Sequence, residues 1–81
     1  MLPISSVKKG DTVRRMLAGT IPMDVKVTDL TEEKILCGKE GDGWEFDRRT
    51  GAEIDDFLGW GAPPKMTGSF LAGVLEENEV N

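Results

Sequence analysis

The chain has 81 residues with 15 acidic and 10 basic side chains, a formal net charge of −5, one cysteine and no histidine. This length fits one small domain with a thin core. The missing histidine excludes Ser–His and Cys–His catalytic pairs and imidazole metal ligands, and a single cysteine excludes an internal disulfide or a thiolate cage.

The first predicted element is a strand that follows a turn at residues 9–11 (Lys-Gly-Asp). In residues 12–18 apolar and polar side chains alternate imperfectly, because the face of the strand that carries Val13 also carries Arg15. A bulge near Arg14 and Arg15 would reconcile the pattern with a half-buried strand.

The second and third strands have clearer patterns. Residues 23–28 alternate strictly between apolar and polar side chains, as in an antiparallel strand with one buried face, and Pro22 suits its start or an edge. A tight connection over residues 31–34 leads to a third strand that begins at residues 35–37. Residues 38–43, with three glycines, predict a loop.

The fourth strand opens a predicted hairpin. Trp44 and Phe46 alternate with acidic residues, and residues 47–51 (Asp-Arg-Arg-Thr-Gly) have turn chemistry. A returning strand over residues 52–55 would place Glu53 and Asp55 together on a solvated face. The alternative is a short helix over residues 50–58 that starts with a capping box; we favour the hairpin, followed by one helical turn near residues 55–58.

The last predicted strand covers residues 69–74 and would close the sheet onto the first strand. Residues 76–81 form an acidic terminus that we expect to be mobile, which leaves one domain over residues 1–75. Five to six short strands separated by turn signals predict an all-β fold, either a small SH3-like barrel or a rolled antiparallel sheet.

Two stretches resemble known proteins. Residues 9–13 (Lys-Gly-Asp-Thr-Val) resemble the start of SH3-like barrels. Residues 44–55 (Trp-Glu-Phe-Asp-Arg-Arg-Thr-Gly-Ala-Glu-Ile-Asp), with Leu-Gly-Trp-Gly at 58–61, resemble small bacterial single-domain proteins without an assigned activity. The resemblance implies a barrel and assigns no catalytic or ligand-binding residue.

The most unusual stretch is residues 59–64 (Gly-Trp-Gly-Ala-Pro-Pro), which excludes regular structure. Trp60 would either plug one end of the barrel or form an exposed apolar contact with Phe57 and Pro63. We therefore predict a non-enzymatic module for protein binding or subunit contact, with another protein or a second copy of the chain as its partner.

A weak nucleic-acid-binding barrel is the alternative function. Residues 1–49 carry nine basic and nine acidic side chains, so the whole imbalance lies in residues 50–81 and net charge does not exclude this function. If the first strand neighbours the 47–51 turn, a basic patch beside an exposed tryptophan would suit single-stranded nucleic acid. Its candidate residues are Arg14, Arg15, Arg48 and Arg49.

An enzyme is the third hypothesis, and it would rest on Asp47, Glu53 and Asp55 as acid–base groups. No nucleophile accompanies them, so we expect no catalytic activity and no cofactor. The acidic stretch 40–47 lacks the spacing of a calcium loop, and we expect no metal site. Cys37 is predicted to be a buried thiol unless Lys34 or Lys39 activates it. One unpaired cysteine and no spanning segment indicate a cytoplasmic protein without a membrane role.

Overall fold

In the residues that the structure describes, the period-two stretches of the sequence form six antiparallel strands in one sheet, which curls into a half-barrel. The computed structural model describes residues 1–38, 43–62 and 68–80. The sheet order is β5-β4-β3-β2-β1-β6. The strands are β1 (Thr12–Leu17), β2 (Ile21–Leu30), β3 (Lys34–Cys37), β4 (Trp44–Asp47), β5 (Glu53–Ile54) and β6 (Phe70–Val74).

The core lies on the concave face of this sheet. Phe46, Ile35 and Val13 are completely inaccessible to solvent, and each belongs to the buried set of its strand's alternation. The remaining members of the cluster are Val7, Val25, Val27, Cys37, Leu71 and Val74. Burial of these side chains is the main term that stabilises so small a fold.

A register irregularity lies beside Arg14 and Arg15, as predicted, but β1 itself is regular. Arg14 pairs with Gly73 and Arg15 with Leu71, so the extra residue of the bulge, Ala72, belongs to β6. Val13 and Arg15 are both buried, whereas Arg14 lies at the surface and donates from Nε to Asp24 on β2 at 2.9 Å. The regular alternation of β1 therefore places Arg15 in the interior with Val13 and leaves Arg14 outside.

The hairpin at residues 44–55 is confirmed over the short helix. Asp47 accepts hydrogen bonds on Oδ2 from the Thr50 amide at 2.9 Å and from the Thr50 hydroxyl at 2.8 Å. Gly51 has a φ of 81°, and a Cβ there would lie 2.9 Å from the carbonyl oxygen of Leu71. Asp47 and Gly51 thus shape the turn that returns the chain as β5.

The two edges of the sheet meet at β5 and β6. Ala52 forms an isolated bridge with Phe70, the Glu53 amide donates to Ser69 at 3.0 Å, and the Leu71 amide donates to Gly51 at 2.8 Å. On its other side β6 pairs with β1, as the sequence predicted. The contact covers polar backbone that would otherwise form an open edge.

Helical structure occurs at other places than expected. No helical turn forms at residues 55–58, where the chain instead makes a turn between the paired residues Asp55 and Trp60. Among the described residues, short 3-10 turns occur at Ile4–Ser6 and Glu77–Glu79. Glu79 in the acidic terminus accepts from the amino group of Met1 at 2.8 Å, so residues 76–80 lie against the start of the chain. The mobility of this terminus stays a prediction. In the described part of the chain, no helix is long and apolar enough to cross a membrane.

Candidate functional site

The candidate site is built on the turn that follows β5. Asp55 and Trp60 form an isolated antiparallel bridge, in which the Asp55 amide donates to Trp60 at 3.1 Å and the Trp60 amide donates to Asp55 at 2.9 Å. The Leu58 amide donates to Oδ1 of Asp55 at 3.1 Å, and Gly59 has a φ of 73°. Backbone pairing, an aspartate at the turn start and a left-handed glycine together define the shape of this turn.

The turn presents two large apolar side chains to solvent. Phe57 is 96% exposed and Leu58 is 52% exposed. A single exposed apolar residue is common on protein surfaces, but a nearly fully exposed phenylalanine beside a leucine on a defined turn forms a compact apolar projection. This arrangement is suited to insertion into a pocket of another molecule.

Trp60 forms the base of this projection and is half-buried. Its ring lies against Gly68, where a Cβ would come within 2.5 Å of the ring atom Cζ2. Glycine is therefore the residue that lets the ring and the backbone approach this closely. Pro63, the third predicted contact residue, lies outside the described residues.

Contacts at Gly68 connect this turn to the β1–β2 turn. The Ala18 amide donates to the hydroxyl of Ser69 at 3.0 Å, and a Cβ on Gly19 would lie 3.7 Å from the Gly68 carbonyl oxygen. Ile21, the first residue of β2, belongs to this same end of the sheet and is 56% exposed. We call Ile21, Phe57, Leu58 and Trp60 the apolar end.

Ile21 was not predicted as a site residue. Ile21 is an even number of residues from Val25 and Val27, so strand alternation places it on the same face of β2 as these two buried residues. At the strand terminus, however, the pattern does not show whether a neighbouring strand extends far enough to cover the side chain. The turn residues before Ile21 are the only sequence signal of its terminal position.

Two carboxylates accompany the apolar end. Asp56 is exposed and Asp55 is half-buried. Within residues 1–38, 43–62 and 68–80, neither carboxylate forms a salt bridge with a lysine or arginine. The surface around Phe57 is therefore apolar at its centre and acidic at its border.

A buried ion pair lies inside the sheet, and it corrects the prediction for Glu53. We expected Glu53 on a solvated face with Asp55, but Glu53 is only 3% exposed. Arg15 donates to it twice, from Nε to Oε1 at 2.6 Å and from Nη2 to Oε2 at 3.1 Å. The alternation of β1 and the pairing of Glu53 with Phe46 place the two side chains on the buried face, where each neutralises the other.

The guanidinium of Arg15 has two further contacts. It lies over the Trp44 ring with Cζ 4.7 Å from the centroid, and Nη1 approaches Sδ of Met23 at 3.6 Å. This arrangement satisfies the charge through hydrogen bonds and a cation–π contact. Arg15 is thus committed to the interior and does not contribute to a basic surface.

The other candidate arginines are held separately. Arg14 pairs with Asp24, Arg48 donates to the Thr31 carbonyl oxygen at 2.7 Å, and Arg49 is exposed. The first strand and the 47–51 turn are separated by β6, since Leu71 bonds Gly51 on one side and pairs with Arg15 on the other. We expected one basic patch only if the first strand and the 47–51 turn were neighbours, and they are not.

The candidate acid–base groups are also separated by their contacts. Asp47 accepts from Thr50, Glu53 binds Arg15, and Asp55 accepts from Leu58. Across the residues that the structure covers, no cluster of three or more acidic or cysteine side chains has the arrangement of a metal site. The calcium-like stretch 40–47 lies partly outside those residues.

Cys37 is a buried thiol, as predicted from its position beside Ile35. It is 2% exposed, and burial raises its pKa to about 12 although the positive charge of Arg15 acts in the opposite direction. Of the two predicted activating lysines, Lys34 instead approaches Glu45 at 3.3 Å, and Lys39 lies outside the described residues. The thiol is therefore protonated at neutral pH and unsuited to nucleophilic attack.

Comparison with known proteins does not identify the chain, because no family model, no curated protein and no solved structure matches it. The resemblance to SH3-like barrels and to small bacterial single-domain proteins stays a prediction. The candidate site consequently depends on the geometry of the apolar end.

Proposed function

We propose that the protein is a non-enzymatic protein-contact module that uses the apolar end, with Phe57 as the anchor. The observation that carries this proposal is the 96% exposure of Phe57 on a turn closed by the Asp55–Trp60 bridge. Aromatic side chains that enter a partner's pocket dominate the binding energy of many interfaces.

The gain from burying Phe57 is substantial. Transfer of a phenylalanine side chain from water into an apolar pocket contributes roughly 1.5–3 kcal/mol. The hydrogen bonds from Leu58 to Asp55 and across the Asp55–Trp60 bridge already order the turn. A preordered turn loses less conformational entropy on binding, so more of the transfer energy contributes to affinity.

The surroundings of the other candidates favour this function over the alternatives. The buried Arg15–Glu53 pair removes one arginine from a nucleic-acid surface and one carboxylate from an acid–base pair. An SH3-like barrel, which the resemblance implies, would suit a contact module, since such barrels serve peptide binding and subunit contact. The buried, unpaired Cys37 fits a reducing cytoplasm.

Site-specific photocrosslinking tests the proposal. A benzophenone amino acid replaces Phe57 in one variant and Glu32 in a control, since Glu32 is an exposed turn residue in the segment between β2 and β3. After irradiation of cells that express the chain, we expect a discrete crosslinked protein from position 57 and none from position 32. Addition of Leu58→Ser to the position-57 variant should remove that product.

Two results would contradict the proposal. Equal yields from positions 57 and 32 would show that the turn has no preferred contact, and a product that survives Leu58→Ser would show that the apolar surface is not recognised. Sedimentation equilibrium of the purified chain, with Phe57→Ser as control, distinguishes a second copy of the chain from another protein as the partner.

A further inference from the structure

The charges around the apolar end indicate the chemistry of its partner, and this inference rests on the proposed function. We infer that the partner is a different protein, whose apolar pocket receives Phe57 and is bordered by lysine or arginine side chains. The juxtaposition that carries the inference is an exposed apolar pair directly beside Asp55 and Asp56, which have no basic partner among the described residues.

Three of the basic side chains on the strands already have acidic partners, whereas Lys26 on β2 donates to the Gly10 carbonyl oxygen. Arg15 is buried with Glu53, Arg14 pairs with Asp24, and Lys34 pairs with Glu45. Asp55 and Asp56 are therefore not compensated by these three cations. A partner that brought further carboxylates to this border would add repulsion, whereas lysines or arginines would relieve it.

The same border disfavours a second copy of the chain as the occupant. In a two-fold symmetric contact through the apolar end, each copy would place its Asp55 and Asp56 at the interface with those of the other. Four carboxylates would then share one interface. Like charges across an interface oppose association, so the surface fits a basic partner better than itself.

Asp55 and Asp56 have different structural roles, which sets the choice of variants. Oδ1 of Asp55 accepts from the Leu58 amide, so asparagine removes the charge and keeps an acceptor oxygen at this position. Asp56 is exposed, and its side chain forms no hydrogen bond with any of the residues that the structure describes. The double variant Asp55→Asn/Asp56→Asn therefore neutralises the border and preserves the turn.

The experiment uses the protein captured through position 57, purified and titrated with the intact chain at about 50 mM and about 500 mM salt. If lysines or arginines border the pocket, the double variant should bind about three- to tenfold more weakly at low salt, mainly through slower association. Its dependence on salt should also be smaller than that of the unsubstituted chain. Glu32→Gln/Glu33→Gln is the matched control, since it removes two exposed carboxylates from a different segment and should leave binding unchanged.

The outcomes separate this inference from the proposed function. If Phe57→Ser abolishes binding while the double variant and salt have no effect, the basic border is refuted and the contact function stands. If a second copy of the chain is the captured species, the inference is overturned. If Phe57→Ser leaves binding intact, or if no protein is captured, the proposed function fails and the inference fails with it.

Discussion

The interior of this small domain contains a pair of charged side chains, whereas the apolar end exposes a large apolar side chain. Both are the reverse of the usual arrangement, in which charges are exposed and large apolar side chains are buried. Inside the sheet, Arg15 and Glu53 form a bidentate ion pair that is almost inaccessible to water. At the surface, Phe57 is almost completely exposed. The buried charges must be matched because each alone would be costly, whereas the exposed ring has no such requirement for folding. The comparison separates residues that the fold requires from residues that are available for contact.

The largest effect is expected from breaking the buried pair. Glu53→Ala leaves the Arg15 guanidinium buried without its carboxylate, which should reduce the free energy of unfolding by about 3–5 kcal/mol. Urea denaturation monitored by circular dichroism measures the loss. For a domain of this size, such a loss is a large fraction of the total stability.

The matched variant for this experiment removes both charges. Arg15→Met/Glu53→Met replaces the pair with apolar side chains and should recover most of the stability lost in Glu53→Ala, since no unpaired charge stays buried. A double variant as unstable as the single one would show that packing, rather than the unpaired charge, determines the effect.

A smaller effect is expected where the apolar end joins the rest of the fold. Gly68→Ala would place a Cβ within 2.5 Å of Cζ2 of Trp60, so the ring or the backbone must move. We expect a loss of about 1–3 kcal/mol in the free energy of unfolding. Adding Trp60→Leu should make the two losses less than additive, because the smaller side chain relieves the contact.

Fluorescence gives an independent check on the Gly68 variant. In a Trp44→Phe background only Trp60 emits, and its displacement by Gly68→Ala should shift the emission to longer wavelength. Unchanged emission with unchanged stability would mean that Gly68 and Trp60 are not in the contact described. Gly59→Ala is the control for backbone strain alone, since a Cβ at Gly59 meets no atom within 4 Å although its φ is 73°.

The buried thiol predicts a pH dependence of moderate size. Burial raises the pKa of Cys37 to about 12, above its ordinary value of 9.0, so the native state holds the proton longer than the unfolded state. Stability from this group is complete below pH 9 and is lost as the pH rises toward 12. Between pH 8 and pH 10 the stability advantage of the unsubstituted chain over Cys37→Ala should fall by about 1 kcal/mol.

Thiol alkylation checks the same residue without a stability measurement. At pH 8 the native protein should react with iodoacetamide much more slowly than the protein in urea, since burial both protects the sulfur and suppresses its thiolate. Equal rates in the two states would contradict the burial of Cys37. A pH dependence equal to that of Cys37→Ala would contradict its raised pKa.

The strands could be predicted from sequence because their alternation is local. In residues 23–28 and 44–47, apolar and polar side chains alternate at consecutive positions and so indicate which face is buried. The turn at residues 47–51 contains the aspartate and the glycine that favour a turn. The register irregularity beside Arg14 and Arg15 was also predicted, although the extra residue, Ala72, lies on β6 and β1 itself alternates regularly. The pairing of Arg15 with Glu53 is different, because the two residues are 38 positions apart in the chain and meet only if the strands pair in one particular register.

The prediction for Glu53 was wrong for this reason. A glutamate between alanine and isoleucine has the local pattern of an exposed position, and only the facing arginine makes the interior favourable. Phe57 was predicted as a contact residue from its neighbours, but its exposure depends on the bridge between Asp55 and Trp60. Local alternation therefore predicted the sheet. The burial of Glu53 and the exposure of Phe57 depend on contacts between distant or paired segments, which local alternation does not show.

The smallest effect on stability is expected from Phe57→Ser, and it is the strictest test of the comparison. Because the ring is almost fully exposed and the turn is held by backbone contacts, the free energy of unfolding should change by less than about 0.5 kcal/mol. The same substitution should abolish binding through the apolar end. A loss above about 1 kcal/mol in urea denaturation would show that Phe57 packs against the fold in solution. In that case Phe57 would be a residue that the fold requires, and its exposure could not support a contact function.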